Sequence, residues 1–417
     1  MNEEQRYRLR TPASARSFEE ARRYLPGGDS RSTLFYPPYP AMLDRGEGCQ
    51  VVDLDGNRLL DFTGNHSALI HGYRQPSVND AILRQMERGT CFPGSTDSQI
   101  RLARHLVQRI PSLERVRFTN SGTEAVMMAV RAARRYTGRR GIAKLEGGFH
   151  GTSGEAMGTD LLVLPADDGP SAIGLLQQRA PDVAALLVEP VQGSAGMIPL
   201  DAGFLRALSE AARRLGIILV FDEVVSLRVA YGGAQQHYGI VPDMTCLGKL
   251  IGGGLPLGAF GGREDIMALF DPSRGAPTIP HPGSYNANPV SLAAGLATLE
   301  LLTRELISDL NHRGERLREE IGRAFGESGV PATVTGLGSL FGIHLTPGPV
   351  RTVRDAARAD TRLRHEIFLG LYNEGVLIDP RGVGTLSTAI GIGEIEQFIA
   401  ALRRVLARVV APATLSS

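Results

Sequence analysis

Between Pro76 and Gly261, short apolar runs alternate with stretches of helical periodicity, and a chain that alternates this way is confined to a mostly parallel sheet with helices on both faces. The runs lie at 116–118, 142–145, 184–188, 216–221, 244–247 and 258–261. Leu205, Leu208, Ala212 and Leu215 repeat at helix spacing between two of them. Such a sheet collects its ligands at the carboxyl ends of the strands, so the residues that close each run are where chemistry is to be sought.

The flanks read differently. A short helix from 18 to about 25 is halted by Pro26-Gly27-Gly28, and the polar Asp29-Ser30-Arg31-Ser32-Thr33 after it is a loop. Residues 50–62 alternate around Asp55-Gly56-Asn57 and form a hairpin. Beyond Thr303 come amphipathic helices at 306–325, 361–373 and 394–410, with short strands around 338–345 and 375–377, a separate α+β layer. The expected division is 1–74 for an N-terminal segment that joins the smaller domain and shapes the substrate mouth, 75–303 for the large domain, and 304–417 for the small domain. Residues 411–417 are expected to fray.

A chain of 417 residues is too long for one simple core and implies two domains sharing a cleft. Its formal charge of +1 gives no field to hold nucleic acid, so the expected ligand is a small molecule. Cys49, Cys91 and Cys246 lack metal-ligand spacing, no metal is expected, and unpaired thiols suit a reducing compartment. No run reaches membrane-spanning length and the start lacks a secretory pattern, so a cytoplasmic protein is expected.

Three features carry chemistry. Lys249 stands alone in the apolar, glycine-rich stretch Thr245-Cys246-Leu247-Gly248-Lys249-Leu250-Ile251-Gly252; it either snorkels to solvent or is desolvated into a usable amine nucleophile. Asp222 closes the run Leu219-Val220-Phe221, and a carboxylate there needs a cation, either an arginine or a protonated ligand nitrogen. Ser121-Gly122-Thr123-Glu124 opens a helix, as a capping box, a phosphate cup, or both. An amine, a strand-end carboxylate and a phosphate-sized helix terminus are what pyridoxal phosphate requires. Gly248-Lys249 is not a nucleotide P-loop, because Asp243 and Leu250 occupy its essential glycine and hydroxyl positions.

With Gly148-Phe149-His150-Gly151, Glu189-Pro190-Val191-Gln192-Gly193, Tyr231-Gly232-Gly233-Ala234-Gln235 and Asn288-Pro289 added in order, the chain resembles the class III, fold-type I pyridoxal-phosphate aminotransferases. The similarity runs from about residue 26 to 405 and is nearest the glutamate-1-semialdehyde aminomutase branch, which includes β-amino-acid aminotransferases. It implies a large α/β domain with a mostly parallel seven-stranded sheet, a smaller α+β domain, and a homodimer with shared active sites.

The resemblance further implies that Lys249 binds the cofactor aldehyde as an imine and shuttles the substrate proton, and that Asp222 holds the pyridine nitrogen. Ser121, Gly122 and Thr123 would take the phosphate, joined by Ser284 from the neighbouring subunit. Phe149 and Val224 would sandwich the ring, with His150 and Glu189 behind it. Arg31 and Arg381 are the candidates for a substrate carboxylate, and His66 replaces an aminomutase tryptophan in the pocket wall. The segment Thr152-Ser153-Gly154-Glu155-Ala156-Met157 and the run Val225-Ser226-Leu227-Arg228 are shorter than in the aminomutases. The expected activity is therefore transfer of an amino group between a carboxylate-bearing amine and a keto or aldehyde acceptor. An isomerase, either aminomutase or racemase, is the alternative, and a non-catalytic binding subunit disagrees with an intact Lys249 and Asp222.

Overall fold

Seven strands form the central sheet of the computed structural model, which describes residues 1–154, 158, 161–273 and 275–410. They are β1 (Arg115–Thr119), β2 (Gly141–Leu145), β3 (Leu161–Leu164), β4 (Val183–Val188), β5 (Ile218–Asp222), β6 (Met244–Leu247) and β7 (Gly258–Gly262). Their spatial order is β1-β7-β6-β5-β4-β2-β3. Only β7 runs antiparallel to its neighbours; the remaining pairs are parallel.

Every residue of β4, β5 and β6 is buried, which is why these strands read as unbroken apolar runs and not as alternation. On one face helix α1 (Gly122–Thr137) packs Val126, Val130 and Ala133 against Val220, Met244 and Phe260. On the other, α2 (Gly169–Arg179) and α3 (Ala202–Arg214) pack Leu176, Leu205 and Leu208 against Leu186, Leu219 and Phe221. A fully buried large apolar side chain is worth roughly 1.5–3 kcal/mol over its exposed state. The two covered faces therefore hold the sheet, and the polar residues at its strand ends are free for other work. Those ends coincide: β4 stops one residue before Glu189, β5 stops on Asp222, and β6 stops two residues before Lys249.

Six of the seven strands are legible as apolar runs, and β3 is not. It is a four-residue edge strand with only Leu164 buried, too short and too exposed to separate from its surroundings. The N-terminal helix also differs from expectation. It spans Pro12–Ala21, with Pro12 at its first turn and Phe18 facing the core, and is preceded by an unanticipated helix Glu3–Arg10 that Asn2 and Gln5 close with a reciprocal cap.

The hairpin Gln50–Asp53 with Arg58–Asp61 is antiparallel; Leu43–Glu47 extends one side and Val376–Leu377 pairs in parallel on the other. One sheet thus joins the first and last parts of the chain. A second, antiparallel sheet of Thr333–Thr335, Leu340–His344 and Val383–Thr385 accompanies helices Arg304–Ser328, Thr361–Asn373 and Ile392–Val410. The expected tail at 411–417 lies outside the described residues, as do 155–157 of the shortened loop. Among the described residues no helix is long and apolar enough to cross a membrane, and no group of side chains is arranged to hold a metal ion.

The β7–β1 pairing brings Gly258 opposite Thr119, where a Cβ would stand 2.2 Å from the Ser121 carbonyl oxygen. Because that neighbour is backbone, Gly258→Ala is expected to cost about 1–3 kcal/mol, read as a lower denaturant midpoint.

Candidate active site

A cavity of about 680 Å³ opens over the carboxyl ends of the parallel strands. Ser121, Gly122, Thr123, Phe149, His150, Glu189, Asp222, Val224 and Lys249 all line it, joined by His66 from the N-terminal part and Arg381 from the C-terminal part.

Three loops meet with no space to spare. A Cβ on Gly122 would stand 2.8 Å from Val224 Cγ2, and one on Gly248 would stand 3.3 Å from Val224 Cγ1 and 3.4 Å from the Gly122 backbone. The loops after β1, β5 and β6 are therefore locked together through Val224. Gly151, at φ 86°, lies against Thr123, whose Oγ1 would be 2.5 Å from an added Cβ, and this fixes Phe149 beside the same helix terminus.

At that terminus Ser121 is extended, and its Oγ accepts the Glu124 amide at 3.2 Å. The Glu124 carboxylate takes the Asn120 amide at 2.9 Å, not that of Ser121, so the expected reciprocal box is only half made. The amides of Gly122 and Thr123 have no intrahelical acceptor by virtue of their position. They face the cavity at the positive end of the α1 dipole, an arrangement that suits a phosphate.

Asp222 pairs with a histidine and not with an arginine. His150 Nδ1 lies 3.0 Å from Asp222 Oδ2, and the Val224 amide donates to Oδ1 at 3.1 Å. Pinned from two sides, the carboxylate still has lone pairs for a donor in the cavity. His150 Nε2 is buried and without a partner. Glu189 accepts the amides of Phe149 at 2.8 Å and Gly193 at 3.3 Å, so it holds two cavity loops by their backbones. Burial, aided by the Asp222 charge and opposed by His150 and these amides, pushes its carboxyl up to about 7. Glu223, next to Asp222, is fully buried and serves the scaffold instead. It accepts the Ala234 amide at 2.5 Å, the Gln235 amide at 3.0 Å and the Gln235 side chain at 3.0 Å, anchoring the Gly232-Gly233 loop.

Lys249 does not snorkel to bulk solvent. It lines the cavity, where burial pulls its amine below the usual lysine range while Asp222 and Glu189 push the other way and Arg381 adds to the lowering. Its φ of 50° places a non-glycine residue in the left-handed region, a conformation that costs roughly 1–3 kcal/mol and persists where neighbours over-determine it. The clamp of Gly248 on Val224 and Gly122 supplies that constraint.

These residues fit pyridoxal phosphate. Phe149 keeps 48% of its surface exposed at a cavity wall facing the groups just described, as a ring waiting for a stacking partner would. The orphaned His150 nitrogen sits behind an acid that can still accept a proton-bearing nitrogen, and the desolvated amine of Lys249 is the nucleophile an aldehyde needs.

The substrate candidates separate. Arg381 binds Asp379 through Nε and Nη2, each at 2.8 Å, and His66 Nδ1 lies 3.4 Å from the same acid. Arg31 does not line the main cavity; it borders a second one of about 410 Å³, where its Nη1 donates to Asn65 Oδ1 at 2.8 Å. Ser284 does not line the cavity of its own chain. Asp379 and Asn65, the partners of the two arginines, were not singled out by the sequence. Asp379 stands two residues before Arg381, and a carboxylate so close to a candidate receptor was the one signal present. Asn65 had only its place after a glycine.

A carboxyl raised from 4.5 to about 7 by folding favours the fold most below 4.5 and loses that contribution as pH rises through about 7. In the apoprotein, stability is expected to fall across this window, and Glu189→Gln is expected to flatten that part of the profile of unfolding midpoint against pH.

Comparison with known proteins agrees with this geometry. The family model for class-III aminotransferases matches residues 35–160 and 171–394. The β-phenylalanine transaminase of Variovorax paradoxus is 43% identical over 400 residues, covering 94% of this chain and 92% of that protein. A glutamate-1-semialdehyde 2,1-aminomutase of Bacillus licheniformis is 37% identical, covering 95% and 98%. Among solved structures, a β-phenylalanine aminotransferase from Variovorax paradoxus superposes with a TM-score of 0.94 at 42% identity, covering 97% and 96%. A transaminase with PLP bound gives 0.91 at 37%, covering 96% and 98%.

Proposed function

We propose, from the premise that this chain belongs to the class-III aminotransferases, that its amino donor is a β-amino acid with an apolar substituent and that Arg31 receives the donor's carboxylate. The enzyme depends on pyridoxal phosphate and transfers an amino group between a carboxylate-bearing amine and a keto or aldehyde acceptor. When bound, the cofactor supplies an aldehyde for the amine and a ring that draws electron density from the carbon losing its proton.

The chain's own residues divide the remaining work. Lys249 Nζ holds the cofactor and carries the proton to and from the amine-bearing carbon of the substrate; its lowered proton affinity keeps a lone pair ready for both roles. Asp222, fixed by His150 and the Val224 amide, would accept from the protonated pyridine nitrogen. Ser121, Gly122 and Thr123 would take the phosphate and Phe149 and Val224 would hold the ring, while Glu189 holds the loops that carry Phe149 and Gly193. The observation that carries the reading is the convergence on one cavity of a desolvated amine, a pinned strand-end carboxylate and a free helix N-terminus.

The likeness to the β-phenylalanine transaminase at 43% identity supports the β-amino donor. The second cavity beside Arg31, walled by Leu34, Met42, Leu43 and Phe368, supports an apolar substituent. The isomerase reading draws on the likeness to an aminomutase at 37% identity, and formation of product without any keto acceptor would select it.

A homodimer is part of the proposal. Ser284 lies away from its own cavity beside Cys91, whose Sγ is 3.8 Å from the Ser284 carbonyl oxygen, and the neighbouring Phe92 and Tyr285 are exposed, as an uncovered contact surface would be. Three unpaired cysteines support a cytoplasmic location.

Mixing the holoenzyme with a β-amino acid is expected to bleach the cofactor's long-wavelength absorbance, and a keto acid is expected to restore it. Failure of every amine in a panel to do so would reject the reading. Lys249→Ala is expected to lower the transfer rate by about 10²–10⁴-fold while pyridoxal phosphate still binds.

A further inference from the structure

Three helices, Pro76–Arg88, Asp97–Arg109 and Pro289–Leu301, enclose a further cavity of about 490 Å³. It shares no lining residue with the cofactor cavity or with the one beside Arg31. Small side chains line it: Ala81 on the first helix and Ala293 and Ala297 on the third, with Leu296 and Leu301 beside them. Larger residues at the three alanines would close the packing between the helices, and these leave it open. The walls are fixed at one end. Gln85 Nε2 donates to the Gly89 carbonyl at 3.0 Å, and Asn288, which caps the third helix, donates to the Thr90 carbonyl at 2.9 Å.

The charge around this apolar floor is one-sided. Ser77, Ala81, Arg84 and Arg88 form one stripe along the first helix, and Arg101 of the second helix lines the same space. Glu300 is the one acid among the lining residues, 3.9 Å from Arg101. Among the described residues neither Arg84 nor Arg88 makes an ion pair, so three guanidinium groups face one carboxylate. Like charges four residues apart weaken a helix, and an anion held between them would offset that repulsion. Leu83 and Met86, the exposed apolar residues of the same helix, fall off the stripe. The cationic cavity and the exposed apolar surface of that helix therefore face different ways.

We propose that this cavity is a binding site for an organic phosphate monoester, separate from the aminotransferase site. A phosphate dianion matches the excess of two positive charges and offers three acceptor oxygens, and guanidinium forks are the donors best shaped for it. The cavity is larger than a bare phosphate ion would fill, and its alanine and leucine floor suits the apolar part of an ester. Bound across the three helices, the ester stabilises the folded chain by mass action. The inference is independent of which amine the enzyme accepts.

The test is calorimetric titration of the holoenzyme, freed of excess cofactor, with phenyl phosphate at constant ionic strength and above the second phosphate ionisation near pH ~6. One phenyl phosphate is expected to bind per chain and to raise the unfolding midpoint. Phenyl sulfate, of similar shape with one charge fewer, is expected to bind about tenfold more weakly or less. Arg84→Gln and Arg88→Gln are each expected to weaken phenyl phosphate by about tenfold. Ala297→Leu keeps every charge but fills the floor, and is expected to weaken it by about as much. All three variants are expected to keep the transamination rate, which shows that they fold. Absence of saturable binding overturns the proposal, as does equal affinity for the sulfate. Binding lost in Arg31→Ala and kept in the Arg84 and Arg88 variants places the anion in the substrate cavity and overturns it too. Unchanged affinity in Ala297→Leu overturns the cavity as the seat of binding.

Discussion

The contact of Val224 with Gly122 on one side and Gly248 on the other is the constraint on which the site depends. It joins the strand that ends in Asp222 to the helix terminus of Ser121-Gly122-Thr123 and to the loop that carries Lys249. Each loop leaves a different strand of one sheet whose burial holds the strand ends in register. A Cβ at either glycine would meet Val224 or the Gly122 backbone, so the spacing of amine, acid and phosphate cup is set by the absence of side chains at these positions.

Around that joint, among the described residues, neither acid at the cavity floor is paired with an arginine. Asp222 is fixed by a histidine and an amide, and Glu189 by two amides. The acids stay near enough to influence the Lys249 amine without consuming it. An arginine–carboxylate pair stands instead at the mouth, where Asp379 takes Nε and Nη2 of Arg381. The floor is thereby prepared for a cofactor that brings its own charges.

Much of this was readable in the sequence, for a physical reason. Strands buried on both faces must be continuous apolar runs, and β4, β5 and β6 are such runs, so Asp222 and Lys249 stand out as the polar residues that end or follow them. The family resemblance supplied the ring-stacking and phosphate residues, and the structure gathers those of the same chain into one cavity. What stayed hidden depended on exposure or on backbone angle. The edge strand β3 has too little burial to leave a pattern, and the helix Glu3–Arg10 is polar along most of its length. Asn65 sits in the turn Gly64–Ser67, where four successive φ angles are positive, and no local pattern announces them. Asp379 looks like an ordinary acid until Arg381 and His66 are seen to converge on it. Ser284, assigned by resemblance to a neighbouring subunit's site, does not line its own.

The whole account requires that the Lys249 amine be the point of covalent attachment for pyridoxal phosphate. The chain holds only two lysines, Lys144 and Lys249, and Lys144 is engaged with the Gly148 carbonyl at 3.1 Å, so a peptide map of the borohydride-reduced holoenzyme gives an unambiguous reading. The account predicts a reduced pyridoxyl group on the peptide containing Lys249 and none on that containing Lys144. An unmodified Lys249 in enzyme that had bound the cofactor would contradict it.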